Sequence, residues 1–330
     1  MLTSYLEKIT EISKESFEEQ ALNIYQNQIE QNVVYRKFVE MVCDYPQEIN
    51  RLAQIPFLPI SFFKSHAVKT TAFEENLVFE SSGTTGSVAS RHYLKDVSIY
   101  NRSCLAAFEH FYGPANHYCF LALLPSYLER ASSSLVFMIK ELMHRSDHPM
   151  NGFYLNDFEN LHNALQKLEA QKQKTILLGV TYALLDFAAL YPQPLQHTIV
   201  METGGMKGRK EELTRSEVHD ILKKAFKLAN IHSEYGMTEL LSQAYAIKDG
   251  IFSTPQWLQI ILREEDDPKQ LIIQTAIPKT GLINVIDLAN IYSCSFIATD
   301  DVGRLYPDKS FEVLGRLDNS DIRGCSLIAV

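Results

Sequence analysis

Positive charge is in deficit: 31 lysines and arginines stand against 40 aspartates and glutamates, giving a formal net charge of -9. No global basic field exists to draw nucleic acid or an anionic membrane surface, so any anion this chain binds must be held by local groups, and no nucleic-acid partner is expected. Long apolar runs are missing too. The most hydrophobic stretch, residues 175–191, is interrupted by Thr181 and Asp186 and closed by Pro192 and Pro194, too short and broken to span a bilayer. The N-terminal MLTSYLEKITEISKESFEEQ mixes acids, lysines and apolar residues as an amphipathic helix does, not as a secretory leader does. A cytoplasmic protein without membrane insertion is expected. The five cysteines are scattered without CxxC spacing, which argues against a disulfide framework or a zinc site and for free thiols. A GxSxG nucleophile elbow, an HExxH zinc helix and the GxxxxGK[ST] loop of P-loop nucleotidases are all absent.

What is present is an ordinary globular composition, 46% hydrophobic and 22% charged over 330 residues, enough for one large core or two domains. Leu22, Tyr25, Ile29 and Val33 fall at helical spacing, so the chain opens with helices over about residues 17–42, and Pro46, Pro56 and Pro59 then mark loops. Strand-like runs at 118–124, 175–180 and 198–201 alternate with helical patterns at 135–143, 158–168 and 210–228, which predicts a mostly parallel sheet flanked by helices. After Gly250 the pattern changes. Runs at 257–262, 271–275, 282–287, 296–299 and 311–314 are joined by turns too short for a helix, which predicts an antiparallel, β-rich C-terminal part. We read one continuous α/β body, residues 1–315, followed by a tail, residues 316–330.

The segment FESSGTTGSVASRHY, residues 79–93, supplies almost no apolar area to a core. Backbone N–H groups of Ser81, Ser82, Gly83, Thr84, Thr85 and Gly86 can converge on phosphate oxygens, and the hydroxyls add donors without bulk. On composition alone a surface loop explains the segment equally well. SSGTTG resembles, however, the phosphate-binding signature of the adenylate-forming superfamily of acyl and aryl ligases. Three further segments match that superfamily in order. EYGMTE, residues 234–239, is similar to its YGxTE element; by that resemblance Tyr235 and Gly236 line the nucleotide pocket, Thr238 contacts phosphate and Glu239 helps hold Mg²⁺. TDDVGR, residues 299–304, is similar to TGDxxR, which gives Asp301 to the ribose hydroxyls; Asp300 stands where the superfamily has glycine. GRLD, residues 315–318, matches GRxD, with Arg316 near ribose or phosphate. Read without the resemblance, these three are a glycine turn leading into a helix, a turn between strands, and a weak tetrapeptide.

Most superfamily members continue into a lid domain whose lysine drives adenylation, whereas twelve residues follow Asp318 here, so an absent lid is implied. One subgroup is closer: the acyl-protein synthetases of the fatty acid reductase complex of bacterial bioluminescence. PISFFKSH (59–66), LLPSYLER (123–130), METGGMKGR (201–209) and RGCSL (323–327) carry that likeness, which runs from about Ile55 to the C-terminus. It implies ATP and Mg²⁺ as cofactors, a long-chain fatty acid substrate, an acyl-AMP intermediate, transfer to Cys325 as a thioester and an acyl-CoA reductase-like partner. Gly204 and Gly205 would approach the adenine, and Lys207, or Arg209, Arg91 or His92, would supply the missing cation. Phe62, Phe63, Tyr127 and Leu128 are candidate walls of the acyl pocket, and equally candidate core residues. Transfer to coenzyme A, as in phenylacetate-CoA ligases, and a non-catalytic nucleotide- or acyl-binding subunit are the alternative readings.

Overall fold

The computed structural model describes residues 9–81, 88–124, 132–204, 213–267 and 269–317. Its opening helical stretch is two helices. In α1 (Phe17–Gln31), Phe17, Ala21, Ile24, Tyr25 and Gln28 recur every three or four positions and are buried, while Glu18 and Glu19 sit at the positive end of the helix dipole. Asn32 then takes an extended conformation and its side chain accepts from the Tyr35 N–H at 3.0 Å, capping α2 (Val33–Val42). A capping side chain, not proline, breaks the helix here.

Six more helices follow among the described residues: α3 (Phe62–Ser65), α4 (Val97–Tyr112), α5 (Ser134–Ser146), α6 (Phe158–Ala170), α7 (Thr181–Leu190) and α8 (Arg215–Phe226). The last begins behind a capping box in which Thr214 and Glu217 satisfy each other's backbone N–H groups, which places its start five residues later than the sequence pattern predicts. The strands are β1 (Leu58–Pro59), β2 (Leu77–Glu80), β3 (Arg91–Leu94), β4 (Cys119–Leu123), β5 (Gly152–Phe153), β6 (Thr175–Val180), β7 (Thr198–Thr203), β8 (His232–Tyr235), β9 (Ala244–Ala246), β10 (Phe252–Ser253), β11 (Leu258–Arg263), β12 (Leu271–Ile272), β13 (Lys279–Asp287), β14 (Phe296–Leu305) and β15 (Phe311–Arg316).

Thirteen of these strands form one sheet in the order β12-β11-β13-β14-β15-β10-β9-β8-β7-β6-β4-β5, with β1 beside β14; β2 and β3 form a separate hairpin. From β5 to β8 the pairing is parallel, and every residue of β4 and β6 is buried, which explains their unbroken apolar runs. The apolar stretch 175–191 is thus a buried strand followed directly by a buried helix, β6 and α7. At β8–β9 the sense reverses, Tyr235 facing Ala244, and the pairing through β10, β15, β14, β13, β11 and β12 is antiparallel.

Two motif segments lie differently from the expectation drawn on residues alone. TDDVGR is no turn between strands: it is the middle of the ten-residue β14, bent by a register shift against β15 between Val302 and Gly303. A Cβ at Gly303 would lie 2.7 Å from Ile283 side-chain atoms and 2.9 Å from the Glu312 carbonyl, so only glycine fits the bend. EYGMTE leaves β8 into a turn that reaches β9 without an intervening helix.

Candidate functional site

Parallel register brings the motif segments to one edge. Val180 pairs with Thr203 and Thr203 with Glu234, so β6, β7 and β8 end side by side, and Gly204 and Tyr235 leave neighbouring strands at the same level. The carboxyl edge of parallel strands next to a change of strand order is where open α/β sheets present loops to ligands. Gly204 is tied down there, its carbonyl accepting from the Thr181 hydroxyl at 2.9 Å.

Asp301 joins three of the motifs. Its Oδ2 accepts from the Tyr235 hydroxyl at 2.8 Å and its Oδ1 from Arg316 Nε at 2.9 Å. Pairing of β14 with β15 sets Asp301 opposite Arg316, and β8 brings Tyr235 from 66 residues away. The Asp301 side chain is 8% exposed and that of Arg316 69%, so the carboxylate is fixed while the guanidinium reaches solvent. Each carboxylate oxygen has a lone pair left, enough for further donors. Asp300 lies half-buried on the same strand, and its charge is felt by both Arg263 and Arg316, which answers the extra negative charge its place in the motif introduces.

Thr238 and Glu239 sit in the turn after β8, and a hairpin from elsewhere in the chain reaches them. β2 and β3 pair Glu80 with Arg91, and the ladder extends by Ser81 N–H to Ser90 O at 3.0 Å and Ser90 N–H to Ser81 Oγ at 2.9 Å. Ser82, Gly83, Thr84, Thr85 and Gly86 follow from this anchored stem but lie outside the described residues. One residue into β3, the buried His92 ring places Nδ1 2.9 Å from the Thr238 carbonyl and Nε2 3.0 Å from Asn290 Oδ1, and Asn290 Nδ2 donates to the Glu239 carbonyl at 2.8 Å. Burial pulls the His92 pKa down to about 4. The neutral ring donates to one of these two oxygens at a time.

The carboxyl of Glu239 is buried and raised in pKa by that burial, with Ser90 and the positive charges of Arg316 and Lys64 acting against the rise. No cluster of three metal-ligating side chains exists among the described residues. A magnesium ion that arrives with phosphate oxygens and keeps its waters needs one or two carboxylates. Glu239, destabilised as an anion by burial and within the field of two cations, fits that demand.

Behind this edge lies a buried acid pair. Glu202 on β7 accepts from Arg215 Nε at 3.0 Å and from Thr181 Oγ1 at 3.1 Å; burial alone would raise its pKa, but His219 and Arg215 bring it below the ordinary carboxylate value. Glu234 on β8 accepts from the Thr203 hydroxyl, and burial, with the Glu202 charge, pushes it up to about 7. Its Oε1 lies 2.5 Å from where a Cβ at Gly236 would sit, so any larger residue in that place would have to displace this carboxyl.

Tyr235, Asp301, Arg316, Thr238, Glu239 and the stem of the serine-rich loop therefore form one connected region. A model of the acyl-protein synthetase family, LuxE, matches residues 4–329. The chain belongs to that family. Among solved structures it is similar to O-succinylbenzoate coenzyme A synthetase from Bacillus subtilis in complex with AMP (15% identity, 72% of this chain and 49% of that one, TM-score 0.49) and to a long-chain-fatty-acid-CoA ligase from Archaeoglobus fulgidus (13%, 73% and 51%, TM-score 0.49). It is also similar to the amide bond synthetase McbA from Marinactinospora thermotolerans (18%, 73% and 49%, TM-score 0.48). The chain spans about half the length of these structures or less, down to 42% for a coronafacic acid ligase mutant from Pectobacterium brasiliense. Comparison with curated proteins gives no match. The mixed α/β body with its β-rich C-terminal part agrees with the fold class that the resemblance implied.

In this LuxE protein two of the candidate cations are engaged elsewhere: His92 is buried and neutral, and Arg91 pairs with Glu80 at 3.1 Å on the surface. Gly205, Lys207, Arg209, Tyr127, Leu128 and Cys325 lie outside the described residues. Phe63 is buried core, edge-on to His92, whereas Phe62 packs on Phe38 and His66. A cavity of about 490 Å³, lined in part by Phe111, Tyr245, Ile247 and Tyr306, lies at the closed end of the β14–β15 hairpin, away from Asp301 and Arg316. Sequence reasoning missed Asn290, Asp287 and the acid pair Glu202–Glu234. Asn290 and Asp287 stand in DLANIYS, which has no local pattern that marks a site.

Proposed function

We propose that this LuxE protein activates a long-chain fatty acid with ATP and passes the acyl group to its own Cys325, for delivery to a reductase-type partner. A carboxylate oxygen of the fatty acid attacks the α-phosphorus of ATP, the bond to pyrophosphate breaks, and acyl-AMP forms. The Cys325 thiolate then attacks the acyl carbon, AMP leaves with the bonding electron pair, and a thioester remains. In this reading Asp301 accepts from the ribose hydroxyls, Tyr235 and Gly236 border the base with Gly204 and Gly205, and Thr238 and the Ser81–Gly86 loop donate to phosphate. Mg²⁺ held through Glu239 would offset charge on the leaving pyrophosphate. Arg316, with Lys207, supplies positive charge at the phosphates.

The observation that carries this reading is the shared carboxylate of Asp301, which ties YGxTE, TGDxxR and GRxD into one contact set. A second supports Cys325 as acceptor. Among the other four cysteines, Cys104, Cys119 and Cys294 are buried with thiol pKa values raised by burial, Cys119 and Cys294 to about 12, which makes them poor nucleophiles. Arg323 stands two residues before Cys325 in the sequence, a cation that would favour the thiolate when beside it.

The test is incubation with radiolabelled hexadecanoate and Mg²⁺-ATP. A hydroxylamine-sensitive label on the protein is expected, lost in Cys325→Ser while ATP–pyrophosphate exchange persists. Exchange without label on the wild-type protein would reject self-acylation, and rapid acyl-CoA formation on adding coenzyme A would point to the ligase alternative.

A further inference from the structure

We infer that His92 and Asn290 are positioning residues that hold the Thr238–Glu239 turn in its working geometry and couple it to the stem of the serine-rich loop. The inference rests on the functional reading above, in which Thr238 faces phosphate and Glu239 holds Mg²⁺.

The turn after β8 has little support of its own: within residues 236–241 its backbone bond runs from Leu240 N–H to Met237 O at 3.1 Å. Further contacts that fix it come from distant segments. The Thr238 carbonyl meets His92, 146 residues away, and the Glu239 carbonyl accepts from Asn290, 51 residues away. The two holders lie against each other, His92 Nε2 at 3.0 Å from Asn290 Oδ1, and the one N–H of the neutral ring serves either that oxygen or the Thr238 carbonyl, so both peptide oxygens of the pair face one packed unit. Asp287, three residues before Asn290, accepts from the Leu241 N–H at 2.8 Å, the Ser242 N–H at 3.1 Å and the Ser242 hydroxyl at 2.6 Å, which closes the far side of the turn. Asn290 is itself held by its N–H to the Asp287 carbonyl at 3.0 Å and by Gln28 donating to its carbonyl at 3.1 Å.

His92, Asn290 and Asp287 are all buried, at 1%, 0% and 0% exposure. A fully buried polar set costs desolvation that apolar side chains of the same size would avoid, and such sets earn their place by specifying one geometry. What this one specifies is the direction of two side chains. With the carbonyls of Thr238 and Glu239 held by this unit, the backbone from which the hydroxyl and the carboxyl extend is fixed. His92 also lies two residues beyond Ser90, whose backbone brackets Ser81 at the root of the loop. Loop stem and turn therefore move together or not at all.

The test uses the full chain with hexadecanoate, ATP and Mg²⁺, and four variants. His92→Phe keeps an aromatic ring and removes the N–H that serves either the Thr238 carbonyl or Asn290 Oδ1; Asn290→Asp keeps the acceptor for His92 and removes the donor to Glu239; His92→Gln restores an amide that can donate to Thr238; the fourth is the double variant H92F/N290D. In ATP–pyrophosphate exchange, kcat should fall about 100-fold in His92→Phe and Asn290→Asp with KM for hexadecanoate within about two-fold, the scale of loss for groups misplaced by roughly 1 Å. The double variant should be no worse than either single one, and His92→Gln should recover most of the rate. Hydrogen exchange without ligand gives a readout apart from activity: amides 240–242 should exchange at least ten times faster in His92→Phe, with β4 and β6 unchanged. Should His92→Phe fail to fold, Asn290→Asp carries the comparison. Wild-type pyrophosphate-exchange kinetics retained in folded His92→Phe or Asn290→Asp, or unaltered protection at 240–242 in those variants, would overturn the inference. A wild-type protein without any pyrophosphate exchange would instead reject the functional reading, and the hydrogen-exchange result would still decide whether the clamp exists.

Discussion

Glu234 holds a proton at a pH where an ordinary glutamate has lost it. Its pKa, about 7 in the folded protein against 4.5 as the usual value, means that between these limits the folded state binds more protons than the unfolded one. Stability contributed by this group is therefore fully present below pH 4.5 and lost as pH rises through 7, roughly 3 kcal/mol in all at 1.36 kcal/mol per pKa unit. Glu234→Gln, permanently neutral and still able to accept from Thr203, is expected to be more stable than wild type by about 1–3 kcal/mol at pH 8 and equal to it near pH 4.5, as read by urea denaturation. His92 has the opposite sign. With its pKa lowered from 6.5 to about 4, the unfolded ring takes up a proton first, so stability falls as pH drops through that window. His92→Gln should flatten that acid loss in the same urea series. At Asp301, replacement by Asn keeps the shape but turns one acceptor oxygen into a donor facing Tyr235 or Arg316; KM for ATP is expected to rise about ten-fold, a change of about 1.4 kcal/mol.

The element that aims the site is β14. A regular strand would carry the alternation of Phe296–Leu305 straight through its pairing with β15, but the register slips between Val302 and Gly303. That slip bends the strand just past Asp301 and sets the carboxylate opposite Arg316 and under the Tyr235 hydroxyl. Gly303→Ala would push a methyl against Ile283 and, less forgivingly, against the Glu312 backbone carbonyl. We expect a loss of about 1–3 kcal/mol in stability, the usual range for an overpacked position, together with weaker ATP binding by calorimetry because Asp301 moves with the bend. An unchanged ATP affinity in a destabilised Gly303→Ala protein would separate the bend from the site.

At the scale of the molecule, the parallel and antiparallel parts share one sheet through the β8–β9 pairing, and the site lies where they meet. Trp257, the single tryptophan, reports on that junction: its indole N–H is 3.0 Å from both Ser103 Oγ on α4 and Ser242 Oγ in the segment that follows the Glu239 turn. Unfolding monitored by Trp257 fluorescence should coincide with loss of far-UV circular dichroism, which is dominated by the helices between parallel strands. Two separate urea midpoints would show that the sheet is continuous in geometry but not in stability.

Much of this architecture was legible from residue order. Apolar runs at 175–180 and 198–201 predicted buried strands, and the spacing in 158–168 predicted a helix, because those signals reside in the periodicity of one element. The boundary at Asn32 between the opening helices and the late start of α8 were not, since a capping side chain decides them one bond at a time. For the site, the four motif segments and their order came from the sequence by resemblance. Which side chains meet was settled only in three dimensions. Tyr235 reaches Asp301 across 66 residues and His92 reaches Asn290 across 198, through strand registers that no local pattern encodes. Glu234 reads in sequence as one more acid; burial beside Glu202 is what keeps it protonated, and burial is a property of the packed chain.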